Sequence, residues 1–291
     1  MKEKFIRFKS TDNIELCGII YTPEKESKKT IVHVHGLAGN FYENKFISFL
    51  AKAYTNIGYN FLTFNNRGNS YIVDLLKEDK ETTYINGGGA YEKYEESFFD
   101  IEGIINYLKE SGNEEIILQG HSYGCNKIIS YYHKKPSPNI SKIILLAPCD
   151  IVHEMKVFMD DKYEYCVNQA KKLIEENKEN ELIDSPIFPI TFSANTFITD
   201  WMDNSKADTF RYRLDNYIHE ELKDINIPIL IEIGTKDECV LVVEKDKIEN
   251  YFQNNLEKSN YKINYIIDAN HGYQNHEKEL TQNIIDWIQM L

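Results

Sequence analysis

The stretch IILQGHSYGCNKIISYY, residues 116–132, decides how the chain is read. Its apolar head, Ile116-Ile117-Leu118, has the length and composition of a buried strand. Beyond the glycines, Ile128, Ile129, Tyr131 and Tyr132 recur at helical spacing. Ser122 therefore stands between Gly120 and Gly124 at a strand–helix seam. A turn that tight strains the serine backbone. It also brings the residues two positions away too close to neighbouring chain to carry side chains, which glycine allows. This is the pattern of a nucleophile elbow, G-x-S-x-G, which lifts a hydroxyl clear of the sheet at a helix N-terminus, where developing negative charge is stabilised. The competing reading is a chance pentapeptide in a glycine-containing turn. The strand before it and the helix after it favour the elbow.

A serine needs a base, and the base needs an orienting acid. An elbow predicts the chain order serine, acid, histidine. After the apolar run Ile229–Ile233 comes Gly234-Thr235-Lys236-Asp237-Glu238. After Ile263–Ile267 comes Asp268-Ala269-Asn270-His271-Gly272. Asp237 and His271 thus follow strand ends, on the same carboxyl edge of a sheet as Ser122. Glu238 and Asp150 compete for the acid role, and Asp237 has the further reading of a mere turn former. His219 and His276 compete for the base. The oxyanion needs two backbone donors: the N–H of Tyr123, after the nucleophile, and one from a loop after an early strand. His35-Gly36-Leu37-Ala38-Gly39 follows the strand-like Thr30–His35, and the Leu37 N–H is the expected donor. His33 and His35 read as strand-end packing, with no metal partner apparent. Neither a cofactor nor a metal is expected.

Working outward, Phe5–Phe8 and Leu16–Tyr21 read as strands joined by a polar turn at Ser10–Asn13. Asn60–Phe64, Glu115–Gln119, Lys142–Ala147, Ile229–Ile233 and Lys262–Ile267 read as further strands. Ile47–Ile57, closed by Gly58, and Ser97–Leu108 read as helices, with a closing helix over 284–291. The connection Tyr71–Glu96 is longer than an ordinary strand–helix connection and contains Asn86-Gly87-Gly88-Gly89, a stretch expected to be flexible. Alternating strands and helices predict an α/β fold with a mostly parallel central sheet flanked by helices. The alternation stops between Asp150 and Asp224. That interval is far longer than the usual ~2–6-residue αβ connection. It is rich in aromatics and carries KKLIEENKENEL at its centre. The expected organisation is a core over 1–149, an inserted helical cap over 150–224 and the rest of the core over 225–291. Phe158, Tyr163, Tyr165, Phe188, Phe192, Phe197, Trp201, Phe210, Tyr212 and Tyr217 are expected mainly to pack that cap, with some lining a pocket. Arg211 and Arg213 read as surface arginines, or else as a greeting for a substrate carboxylate.

The formal net charge of −13 over 291 residues argues against a nucleic-acid partner, which needs clustered Lys and Arg. The five cysteines form no CxxC and no Cys/His pair at zinc spacing, so reduced thiols in a cytoplasmic protein are expected. The N-terminus lacks an apolar signal-peptide core, and no run approaches the ~18 apolar residues of a membrane span. Oligomeric state is not readable.

The segments HVHGLAGN, FNNRGNS, GHSYG, GTKDE and ANHG, in that order along nearly the whole chain, resemble the α/β-hydrolases. FNNRGNS is similar to the D-x-R-G-x-G-x-S loop of the serine aminopeptidase and monoglyceride-lipase-like branch. Asn65 stands where that branch has Asp, and Asn69 where it has Gly. GLAGNFYEN is faintly similar to siderophore-esterase-like hydrolases. The resemblance implies the α/β-hydrolase fold and a cofactor-free serine hydrolase acting on a small-molecule acyl substrate through an acyl-enzyme. An ester, thioester, lactone or small amide would serve. Acyl transfer, C–C bond hydrolysis, or a non-catalytic ligand-binding role on the same fold are the alternatives.

Overall fold

The computed structural model describes residues 1–186 and 190–290. Eight strands form one sheet, β1 (Lys2–Lys9), β2 (Glu15–Thr22), β3 (Lys29–Val34), β4 (Asn60–Phe64), β7 (Glu115–His121), β8 (Ile140–Leu146), β9 (Ile229–Gly234) and β10 (Tyr261–Ile266). Their spatial order is β1-β2-β4-β3-β7-β8-β9-β10. β1 and β2 pair antiparallel, as do β2 and β4. From β4 to β10 every pairing is parallel. The parallel strands read as near-continuous apolar runs because both faces are covered: Ile31, Val32, Phe61, Leu62, Ile117, Leu118, Leu145 and Ile231 are fully buried. α1 (Phe46–Asn56) and α9 (Glu277–Met290) pack together, as do α2 (Ser97–Glu110) and α3 (Tyr123–Lys134). The expected α/β-hydrolase fold is what the chain adopts.

Local chemistry explains the boundaries. α1 ends where Gly58 adopts φ +86°: its N–H bonds the Thr55 carbonyl, and the next N–H, of Tyr59, reaches back to Tyr54. That pair of bonds is a Schellman stop, which glycine enters without the Cβ penalty. The closing helix begins earlier than its apolar spacing suggested, at Glu277, and Leu291 lies outside the described residues.

Two expectations are corrected. The connection Tyr71–Glu96 is ordered: β5 (Val73–Glu78) and β6 (Thr82–Gly87) form an antiparallel hairpin. Its glycines are buried rather than loose. A Cβ on Gly88 would come within 2.6 Å of the Tyr71 carbonyl oxygen, and one on Gly89 within 2.9 Å of the Leu37 side chain. These glycines permit close packing, and composition alone cannot tell that from flexibility. In KKLIEENKENEL the helix does not continue. α5 (Tyr163–Glu175) stops midway, and Asn177 takes φ 57°. The interval 150–224 also holds α4 (Ile151–Met159), α6 (Ala194–Asp200) and the short α7 (Glu220–Lys223), with long irregular segments between them. α8 (Lys245–Asn255), between β9 and β10, was not anticipated.

Candidate active site

β7 delivers its last residue, His121, directly into α3, and Ser122 sits alone at the junction with φ 56° and ψ −130°. A non-glycine residue there is strained, and it is held only because its surroundings over-determine it. Those surroundings are close. A Cβ on Gly120 would lie 2.7 Å from the Cys125 nitrogen. One on Gly124 would lie 2.1 Å from the Val34 carbonyl oxygen, on the neighbouring strand β3. One on Gly36 would lie 2.9 Å from the Ser122 Cβ. Gly124→Ala therefore forces α3 away from β3. The expected outcome in urea denaturation is a loss of about 1–3 kcal/mol or more, the range for overpacked cores.

Asp237 follows β9 in a tight turn and is buried. Its Oδ1 accepts the backbone N–H groups of Cys239 and Val240, each at 3.0 Å. The same oxygen lies 2.9 Å from His271 Nδ1, and Oδ2 lies at 3.1 Å. Burial alone would raise the Asp237 carboxyl, but the His271 ring and these donors outweigh it and hold it below its usual value. Burial likewise opposes charge on His271, and Asp237, with Glu154 and Glu238 behind it, raises the ring above its usual value. Ser122 is tied to this pair through its neighbour: His121 Nε2 lies 2.9 Å from the His271 carbonyl oxygen, and the two rings are 4.9 Å apart. Burial first, then His271, push His121 down to about 3, so it is neutral and its Nε2–H donates to that carbonyl. Among the described residues no hydrogen bond joins Ser122 Oγ to His271. That oxygen has a contact with Cys149 Sγ at 4.0 Å. The backbone N–H groups of Leu37 and Tyr123 have no hydrogen-bond partner among the described residues.

The family described as "Protein of unknown function (DUF1749)" matches residues 11–291. The chain belongs to that family. No curated protein matches the sequence. Among solved structures, the DUF1749 chain is similar to Est1E from Butyrivibrio proteoclasticus with bound ferulic acid. Identity is 16%, coverage is 97% of this chain and 98% of that one, and the TM-score is 0.66. It is similar to the Pyrococcus furiosus esterase Pf2001 at 14% identity, covering 99% and 90%, with a TM-score of 0.65. The α/β hydrolase GrgF from Penicillium sp. sh18 shares 13% identity over 98% and 97%, with a TM-score of 0.64. At these identities the likeness establishes the fold.

The competing candidates in this DUF1749 member are engaged elsewhere. Asp150 caps α4 by accepting the His153 N–H and pairs with Arg213. Arg213 also pairs with Asp203 and Asp208, and Arg211 with Asp208, so neither arginine is free to greet a carboxylate. His219 is buried against the Tyr251 hydroxyl, and His276 lies beside Glu279. Glu238 accepts the His271 backbone N–H at 3.3 Å. His33 bonds the Gln119 amide; His35 accepts the Asn66 N–H on Nε2, so both pack at the strand end as expected. Tyr163, Phe192, Phe197, Trp201, Phe210 and Tyr212 are buried, whereas Phe158 and Tyr165 are exposed. Phe188 lies outside the described residues.

Two features escaped the sequence reading. The first is Glu154, in the first turn of α4. Its carboxyl lies against the thiols of Cys149 and Cys239 and within the field of His271; burial raises it above its usual value. Nothing in its local sequence separates it from a solvated helix glutamate. The second is a charged layer under the elbow. Lys127 Nζ lies 2.6 Å from Glu92 Oε1 with both side chains buried, and 4.6 Å from the centre of the Tyr123 ring. That ring also stacks on Tyr94 and packs against Trp201. Asp200 of α6 accepts the Tyr94 N–H; burial, then Glu92, push its carboxyl up to about 8. A lysine amid the apolar face of α3 was the available signal.

Proposed function

We propose that the chain is a serine hydrolase that cleaves a carboxylic ester, or a related thioester, lactone or small amide, through an acyl-enzyme. The observation that carries this reading is the strained Ser122 at the elbow, with a bonded Asp237–His271 pair behind the adjacent strand ends. In this scheme His271 Nε2 takes the Ser122 proton as Oγ attacks the carbonyl. Asp237 holds Nδ1–H and stabilises the imidazolium, and the Leu37 and Tyr123 N–H groups receive the oxyanion. His271 then returns the proton to the leaving group, and water repeats the sequence to release the acid. The likeness to proteins named as esterases is consistent with this chemistry.

We place the chain nearest the serine aminopeptidase and monoglyceride-lipase-like branch. Asn65, at the position of that branch's Asp, still does structural work, because its Oδ1 accepts the Phe41 N–H. We further assign 150–224 as the cap, supported by Trp201 against Tyr123 and by Asp200 bonded to Tyr94.

Asp237→Asn is expected to cut turnover by about 10²–10⁴-fold with the fold retained, because an amide cannot stabilise the imidazolium. Glu238→Gln should cost far less. The pH profile separates their roles. His271 must be neutral to accept a proton, so kcat/KM falls as pH drops through its pKa. Neighbouring carboxylates raise that pKa above the ordinary ~6.5. Glu238→Gln should therefore move the acid limb to lower pH while leaving the plateau nearly intact. A plateau lost more severely than in Asp237→Asn transfers the acid role to Glu238, and a limb that stays put removes Glu238 from the groups that act on His271.

A further inference from the structure

Cys239 lies two residues after Asp237 in the same turn, and its backbone N–H is bonded to Asp237 Oδ1. An Asp237 oxygen, the Cys239 sulfur and a ring nitrogen of His271 all lie within 4.8 Å of one another. Glu154, on α4 and outside this set of three, adds a negative charge beside the Cys239 thiol. The cluster is thus one thiol, one imidazole and one carboxylate, drawn from the turn after β9 and the loop after β10. Sequence spacing gave no sign of it, because only Asp237 and Cys239 are near each other in the chain.

We propose that Asp237, Cys239 and His271 form a reversible three-ligand site for a thiophilic divalent cation of the zinc type, whose occupancy switches off Ser122. Sulfur, nitrogen and carboxylate oxygen are the donors that zinc takes in tetrahedral sites. Ligands about 2.0–2.3 Å from the ion stand about 3.3–3.8 Å apart, so the set has to close by roughly an ångström, within reach of side-chain rotation. Charge favours it as well. Among the described residues no lysine or arginine pairs with Asp237, Glu154 or Glu238; the partner of Asp237 is the His271 ring, which gives up its bound proton wherever the metal takes its nitrogen. Coordination releases the Cys239 thiol proton to solvent as the metal–sulfur bond forms. It silences the imidazole by either nitrogen. Bound through Nε2, the ring can no longer take the serine proton; bound through Nδ1, it loses Asp237. Only the backbone N–H of Cys239 serves Asp237 in the proposed cleavage scheme, which makes its thiol the group to vary.

The switching part rests on the proposed hydrolase activity; the metal site itself does not. The test uses the full chain, reduced and freed of metal by chelator, in a Cys17→Ser background that removes the other part-exposed thiol. Cadmium titration should give a thiolate-to-metal charge-transfer band saturating at one ion per chain. The band should survive Cys149→Ala and vanish in Cys239→Ser. Zinc should inhibit hydrolysis of a p-nitrophenyl ester, with reversal by EDTA. With inhibition taken relative to each protein's own metal-free rate, Cys239→Ser should need about tenfold or more zinc for the same fractional inhibition, since losing even a supporting shell residue costs ~10–100-fold in affinity. A band that persists in Cys239→Ser, or equal zinc sensitivity in both proteins, overturns the site. If no ester is turned over at all, the cadmium band still decides the metal site, and only the hydrolase reading falls.

Discussion

Ser122→Ala is expected to abolish labelling by a fluorophosphonate and to lower ester turnover by ~10⁴-fold or more, leaving the residual rate that binding and oxyanion donors supply. The size of the effect follows from the way the site is built. The elbow spends backbone strain to hold one hydroxyl at φ 56° between β7 and α3, and three glycines clear the space around it. Alanine keeps the Cβ and the backbone, so the turn should fold unchanged and only the nucleophile is lost. Protein mass spectrometry after labelling, beside rates on a panel of acyl esters, lactones and aminoacyl amides, makes the measurement. Turnover unchanged in the alanine variant would falsify the mechanism, and a labelled residue elsewhere would move the nucleophile. The same panel, run on the parent protein, also ranks the acyl groups that the 150–224 segment admits.

Lys127→Met should be the most destabilising single change away from the catalytic candidates. It removes the cation from a pair whose two side chains are 0% and 2% exposed and leaves Glu92 with no ion-pair partner among the described residues. Breaking one side of such a pair costs about 3–5 kcal/mol, whereas replacing both sides with matched neutral groups is often nearly neutral. Glu92 Oε2 is already without a hydrogen-bond partner, so the carboxyl has little other support. Burial, opposed by Lys127, sets its ionisation, and without Lys127 it is expected to take up a proton. The check is urea denaturation of Lys127→Met, Glu92→Gln and the double variant. The double variant should be more stable than Lys127→Met. Finding it less stable would show that the ion pair is not what Lys127 contributes. Lys127 also covers the Tyr123 ring, so its loss should loosen the residue proposed to donate to the oxyanion.

The three proposed catalytic side chains and the main strands that carry them were legible because their signals are local. Gly120, Ser122 and Gly124 are dictated by one turn, and a turn's steric demands are written in consecutive residues. Asp237 and His271 each follow an apolar β-branched run, so chain order and strand ends placed them on one edge. The sequence already favoured Asp237 over Glu238 and Asp150, although all three follow strands. Only tertiary structure showed Asp237 facing the ring, Glu238 meeting the backbone N–H and Asp150 bonded to Arg213. The glycines at 87–89 misled for the opposite reason. Composition records that a side chain is missing, and only packing against Tyr71 and Leu37 explains why it must be. Lys127 with Glu92, and Glu154 with Cys239, lie farther from any sequence signal. Each pair joins residues 35 or more positions apart, and what fixes their chemistry is the desolvation they share, a property of the assembled interior rather than of any segment.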